Sequence, residues 1–209
     1  RTAEGDPFNP REIRKAAERI RALAYFSDVQ VDAQPGTAAD QVVVNVDVEE
    51  AATGSLSLGA SYGVSSGVGF SVGYSESNFL GRGQALALNV NTADTSQSFN
   101  MSFTEPAFLG RDVAFSLGAG LTQTDNENAQ YDTRVVSFSP SLEFPVGEIA
   151  RLSVRYGLQE TRLSDVNPAI SSIIQREAND GALISSYAGY RWSYDNRIEG
   201  INPLGGILL

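Results

Sequence analysis

From Gly54 onward the sequence predicts a mainly β fold, an antiparallel transmembrane β-barrel region that follows a small α+β unit. Three observations carry this prediction. Apolar side chains alternate with Ser, Gly and Asn in short segments such as Val68-Gly69-Phe70-Ser71-Val72-Gly73-Tyr74, Leu86-Ala87-Leu88-Asn89-Val90 and Phe99-Asn100-Met101-Ser102-Phe103. The second face of these segments is small and neutral, whereas a soluble sandwich usually carries charge there. Charges gather at the turns instead. One face toward lipid and one toward a polar lumen is the pattern of a barrel that spans a membrane with strands.

The first fifty residues read differently. Asn9-Pro10-Arg11-Glu12 is a helix start: Asn caps, Pro suits the first helical position, and Glu12 stands at the capping-box position. Ile13, Ala17, Ile20 and Ala24, with Ala16 and Leu23 beside them, form one apolar face at helical spacing, which predicts a helix ending near Tyr25-Phe26. A short strand, Val29-Gln30-Val31-Asp32-Ala33, is followed by a loop at Gln34-Pro35-Gly36-Thr37. A stronger strand then runs from Val42 to Val48. One helix and two strands bury too little to be stable alone. Glu49 to Gly54 is a very short link into the barrel region.

Eight further strands are expected at 54–64, 67–77, 83–93, 97–105, 112–124, 131–144, 149–163 and 182–195, with a ninth beginning at Gly206. Connections near 78–82, 106–111 and 145–148 are tight, and those near 124–131 and 164–181 are long and polar. Short turns at one end and longer loops at the other fit an outer-membrane barrel, with Val64-Ser65-Ser66-Gly67 as a short exception on the long-loop side. Tyr190, Trp192 and Tyr194 share one face of the eighth strand, as an aromatic girdle would, and Arg191 points to the other.

Composition narrows the function classes. The 209 residues hold no histidine and no cysteine, so His-based catalytic triads, His/Cys metal sites and disulfides are all excluded. A formal charge of −10 leaves no basic stripe for phosphates, and nucleic acid is not expected as a partner. No run approaches the ~20 apolar residues of a transmembrane helix. Asp125, Glu127 and Asp132 lack the ligand order of a calcium loop and read as solvated loop charge. The Gly67-Val68-Gly69 segment has no following Lys-Ser/Thr and no helix, so it is not a phosphate loop. No catalytic residues, cofactor or metal are expected, and the chain does not read as an enzyme. The opening Arg1–Pro7 has no signal-peptide core, and the chain is expected to be a piece of a longer one.

The tetrapeptide Phe-Leu-Gly-Arg occurs twice, at Phe79–Arg82 and Phe108–Arg111, each at a tight turn. Together with Asn78–Gly83, Glu105–Asp112, Tyr194-Asp195-Asn196-Arg197 and Pro203-Leu204-Gly205-Gly206, these turns resemble the BamA family of outer-membrane barrel-assembly insertases. The segment from Ala3 through Tyr25-Phe26-Ser27-Asp28-Val29 to Val42–Glu50 is similar to that family's last periplasmic POTRA domain. The resemblance covers nearly the whole chain, although Leu204-Gly205 departs from the family's commoner Pro-Thr-x-Gly turn.

The resemblance implies that residues 1–52 are the C-terminal part of a POTRA domain. Residues 53–209 would be the first eight strands, and the start of the ninth, of a sixteen-stranded barrel. It implies an outer-membrane protein of a Gram-negative cell with its N-terminal part in the periplasm, folding and inserting other barrels without nucleotide. The implied working strand is Ser55, Leu56, Ser57, Leu58, Gly59, Ala60, Ser61 and Tyr62, one side of a lateral gate that templates an incoming strand by main-chain pairing. A second edge, Val29, Gln30, Val31, Asp32 and Ala33, receives substrate strands or stands unoccupied. Implied partners are unfolded outer-membrane proteins, the accessory lipoproteins of the BAM complex, periplasmic chaperones and outer-membrane lipid. The alternatives are a TamA-like or two-partner secretion translocation barrel, or a passive porin-like channel.

Overall fold

The computed structural model describes residues 7–38, 41–126 and 130–196. The chain divides into two compact units, Arg1–Gly54 and Ser55–Leu209.

In the first unit, Asn9 caps helix α1 (Pro10–Ala22) by accepting from the Arg11 N–H at 3.1 Å, with Pro10 at the first position. Strand β1 (Phe26–Pro35) pairs antiparallel with β2 (Val42–Glu50), Val29 opposite Val48 and Ala33 opposite Val44. Alternation puts Val29 beneath the helix. Val29 and Ala17 are the buried apolar residues among those described. The expected strand at 29–33 proves to be ten residues long, because pairing with β2 extends it past the apolar positions that the pattern could mark.

The second unit is an eight-stranded antiparallel sheet in simple chain order. It consists of β3 (Gly54–Gly63), β4 (Gly67–Phe79), β5 (Gln84–Ala93), β6 (Ser96–Glu105), β7 (Ala114–Asn126), β8 (Tyr131–Pro145), β9 (Ala150–Ser164) and β10 (Leu183–Tyr194). Each expected strand is present within two residues at either end. The expected ninth, from Gly206, lies outside the described residues. Among the described residues the sheet is open, with β3 at one edge and β10 at the other.

The register sorts the side chains into two faces. Tyr74 stands opposite Leu88, Leu88 opposite Met101, Met101 opposite Ala119, and Ala119 opposite Phe138, which faces Leu158. Leu152 and Val154 face Trp192 and Tyr190 in turn. One face is therefore apolar across the middle of β4 to β10, and among the described residues no buried apolar core residue belongs to this sheet. The apolar run from Val136 to Phe144 covers roughly 27 Å of β8 at about 3.4 Å per residue. At a tilt of about 40° that is roughly 21 Å along the membrane normal, close to the apolar band of about 25 Å on such barrels. An apolar face this wide is stable when lipid, rather than protein, covers it.

The opposite face is small and polar. Ser55 Oγ lies 2.8 Å from Ser75 Oγ, and Ser57 Oγ donates to the Gly73 carbonyl at 3.3 Å. Glycine and serine alternate across this seam. A Cβ built on Gly59 would stand 2.4 Å from Ser71 Oγ, one on Gly69 2.7 Å from Ser61 Oγ, and one on Gly73 2.5 Å from Ser57 Oγ. The same exchange recurs farther along, Gly118 against Ser139 and Gly120 against Ser137. Small residues here let neighbouring strands approach on the side where a closing sheet crowds its side chains.

In the first unit α1 ends at Ala22, before the expected Tyr25-Phe26, and two features of the second unit also depart from the sequence reading. Helix α2 (Ser172–Asn179) interrupts the connection expected as a continuous polar loop, capped by the Ser171 hydroxyl accepting from the Ile173 N–H at 3.4 Å. The difference between the two ends of the sheet is also smaller than expected. The β5–β6 connection, on the side of the long loops, is only Asp94-Thr95, whereas the β9–β10 connection is long.

Candidate functional site

Strand β3 holds the whole expected gate segment, Ser55 through Tyr62, in extended backbone. Its apolar side chains share the apolar face and are open: Leu56 is 67% exposed, Leu58 75% and Tyr62 77%. Its serines and Gly59 share the polar face against β4. Among the described residues β3 pairs only with β4, so one line of its main-chain N–H and C=O groups has no strand partner there. Strand β10, the other edge, has the same property.

The β1 segment is more constrained. Val31, Asp32 and Ala33 pair with Val46, Asn45 and Val44 on one side. At Val29, both main-chain polar groups are engaged by side chains. Its N–H donates to Asp28 Oδ1 at 2.8 Å, and its carbonyl accepts from Arg21 Nη2 of α1. A residue whose N–H and C=O are taken in this way cannot add a strand without displacing both. Of the five residues expected to form this edge, Val29 is thus closed at its backbone, and the Gln30 side-chain Nε2 donates to Asp28 Oδ2 at 2.9 Å. Sequence reasoning gave neither Asp28 nor Arg21 a part in this edge. The signal for Arg21 was its place one helical turn after Ala17 on the buried side.

The polar face is not uniform. Beyond the Ser/Gly/Asn field of β3 to β8 it carries Arg151, Arg155 and Arg191 on β9 and β10. Arg151 Nε donates to Glu143 at 2.7 Å, and its Nη2 lies 3.4 Å from Asp112, tying the β6–β7 connection to β8 and β9. Tyr187 lays its ring over Gly157 directly opposite, where any Cβ would meet ring atoms at 2.2 Å. Among the described residues no group of His, Cys, Asp or Glu is disposed to hold a metal. Glu127, expected as loop charge, lies outside them.

The two Phe-Leu-Gly-Arg turns fold alike. In the first, the Gly81 N–H donates to Asn78 at 2.9 Å and the Arg82 N–H to Phe79 at 3.3 Å. In the second, the Gly110 N–H donates to Ala107 at 2.8 Å and the Arg111 N–H to Phe108 at 3.2 Å. Both central pairs are left-handed, Leu80 and Gly81 at φ 57 and 69, Leu109 and Gly110 at φ 56 and 71. The structure also lengthens the repeat. Glu76 accepts from the Asn78 N–H at 2.8 Å and Glu105 from the Ala107 N–H at 3.1 Å, so the unit is Glu-x-x-Phe-Leu-Gly-Arg in both places. Gln84 Nε2 donates to Glu105, joining one turn to the other. The glutamates stood in plain view, three residues before each Phe.

An antiparallel sheet with one lipid-type face and one polar face, preceded in the chain by a small α+β unit, defines a protein of the class that spans membranes with strands. The chain belongs to the Omp85 superfamily: the profile of the Omp85 superfamily domain matches residues 78–209, and that of the POTRA surface antigen variable number repeat matches residues 1–51. It is similar to the outer membrane protein assembly factor BamA of Nitratidesulfovibrio vulgaris, 28% identical over 208 residues, which is 100% of this chain and 26% of that protein. BamA of Neisseria meningitidis serogroup B is 33% identical over 98 residues, 46% of this chain and 12% of that protein. The crystal structure of BamA from Haemophilus ducreyi lacking POTRA domains 1–3 shares the fold at TM-score 0.71 and 24% identity, covering 97% of this chain and 41% of that one. The chain thus spans about a quarter of the length of the N. vulgaris relative.

Proposed function

We propose that this chain is the part of an outer-membrane assembly factor that carries the end of a periplasmic POTRA domain (1–52) and the first eight strands, with the start of the ninth, of its barrel (53–209). In this reading it folds and inserts other barrel proteins by strand templating at β3, a lateral gate, and acts by binding rather than by covalent chemistry. The observation that carries the reading is the β3 edge. It offers main-chain donors and acceptors that recognise any strand regardless of sequence, with exposed Leu56, Leu58 and Tyr62 on the lipid side. Left alone, such an edge is a liability that barrels normally abolish by closure. The N. vulgaris and N. meningitidis relatives are named assembly factors, which supports the same reading.

The partners are then unfolded outer-membrane proteins, delivered by periplasmic chaperones, with BAM lipoproteins as accessories and outer-membrane lipid as the medium. Hydrogen bonds to the edge replace those the incoming strand would otherwise lack in lipid, where each unmade bond costs several kcal/mol, so no nucleotide is needed. The test is reconstitution of the full-length protein in vesicles without nucleotide, adding a urea-unfolded barrel substrate. Faster substrate folding than in empty vesicles is expected. Steady ion conductance with no effect on substrate folding would turn the reading toward a channel.

A further inference from the structure

Leu80 and Leu109 occupy positions where neither water nor backbone favours them. They are 74% and 80% exposed, and both sit in the left-handed region, at φ 57 and 56, where a bulky side chain is an outlier. Asn or Gly fits such a turn better. Strain that recurs with the same dihedrals, the same hydrogen bonds and the same clasping glutamate in two turns points to a use for the side chain. Both turns lie at the end of the sheet where β3 begins. There β10 ends in stacked Trp192 and Tyr194, ring centroids 5.8 Å apart. Phe108 lies 5.1 Å from Phe115 of the apolar face, so the second turn joins that face at its rim, where Glu105 stands opposite Phe115. The third turn at this end adds Val146, 49% exposed, and Ile149, 46% exposed. Arg82 and Arg111, both exposed, follow each Leu by two residues.

We infer that the paired Glu-x-x-Phe-Leu-Gly-Arg turns are a lipid-anchoring site. Leu80 and Leu109 insert at the headgroup–acyl boundary of the leaflet on the periplasmic side, and Arg82 and Arg111 meet its phosphates. The inference rests on the proposed membrane reading and adds to it a specific anchor. Aromatic, aliphatic and cationic groups succeed one another in each turn as the interface requires: amphipathic rings at headgroup level, apolar tips at the acyl boundary, guanidinium toward phosphate. The Gln84–Glu105 bond holds the two tips as one unit, so both enter the same leaflet.

The test uses the full-length protein in phosphatidylcholine–phosphatidylglycerol vesicles, with single spin labels at Leu80→Cys, Leu109→Cys, Val72→Cys and Ser65→Cys; these 209 residues contribute no other cysteine. Collisions with apolar oxygen and with a water-soluble nickel chelate are compared at each site. Oxygen should exceed the chelate at 80, 109 and 72, and the order should reverse at 65, in the turn at the opposite end. Chelate dominance at 80 and 109 with oxygen dominance at 72 would overturn the anchor and keep the membrane reading. Exclusion of both probes at 80 and 109 would also overturn it, since protein rather than lipid would then cover the tips. Chelate dominance at 72 would sink the membrane reading itself. A Leu109→Trp protein, read as the added fluorescence quenched by brominated lipid but not by iodide, checks the result without a label.

Discussion

The seam between β3 and β4 is packed closely enough that one methyl group should be felt. Replacing Gly73 by Ala puts a Cβ 2.5 Å from Ser57 Oγ and 3.1 Å from Asn89 Oδ1. The hydroxyl must rotate away and give up its bond to the Gly73 carbonyl, a loss of roughly 0.5–1.5 kcal/mol. Against that, Ala restricts the unfolded chain and returns about 0.4–1 kcal/mol in an extended strand. The two terms nearly cancel, so the single variant should be almost silent. Gly189→Ala meets nothing within 4 Å and should show the gain alone. The difference between the two sites, about 1 kcal/mol, is roughly five-fold in a local opening equilibrium. In a Ser57→Gly background the hydroxyl clash is gone and only the approach to Asn89 Oδ1, the end of a flexible side chain, remains, so Gly73→Ala should then stabilise β3–β4 much as Gly189→Ala stabilises β9–β10. Amide hydrogen exchange of the full-length protein in nanodiscs reads each seam separately. The reasoning is refuted if Gly73→Ala protects β3–β4 fully in the parent, or if removing the Ser57 hydroxyl leaves its effect unchanged.

Three further outcomes rest on particular contacts. Asn9→Ala removes the cap on Arg11 N–H and should lower the stability of α1 by about 1 kcal/mol, measured by exchange at Ile13 to Ala17. Gly110→Val should cost roughly 1–2 kcal/mol from left-handed backbone alone, since nothing lies within 4 Å of the added Cβ, and urea unfolding of the barrel checks this. Arg21→Met keeps the apolar stem over Ala17 but frees the Val29 carbonyl. Photocrosslinking of strand-forming peptides from Gln30 should rise, and an unchanged yield would mean that the Arg21 bond does not guard this edge.

Much of the fold was legible because a barrel strand announces itself by period. Alternation through Val68–Tyr74 and Leu86–Val90 fixes both the strand and the face, and every described strand of the large sheet falls where alternation put it. Helix α1 was marked by Asn9-Pro10 and by apolar spacing. Helix α2 was missed because eight residues give too few turns for a period, and its cues were only Ser171 at the cap and Gly181, at φ 90, after the end. The gate segment was legible as a strand from its own period but as an edge only through the family resemblance, because edge position is a property of partners and not of local pattern. The closing of Val29 by Arg21 and Asp28 was hidden for the same reason, as it joins a helix to a strand across eight positions in sequence. The repeat was half seen: the tetrapeptide stood out by identity, while its glutamates emerge only from their shared bond to the turn's N–H.

The central claim is that β3 pairs with incoming strands, and disulfide trapping tests it most directly. Single cysteines placed from Ser55 to Tyr62 in the full-length protein would be paired with cysteines in the terminal strand of a stalled barrel substrate. The account predicts crosslinks in one register, strong at alternate positions and shifting in step with the substrate cysteine. Trapping of β3 only to a strand of its own barrel, with no substrate crosslink at any of these positions, would contradict it.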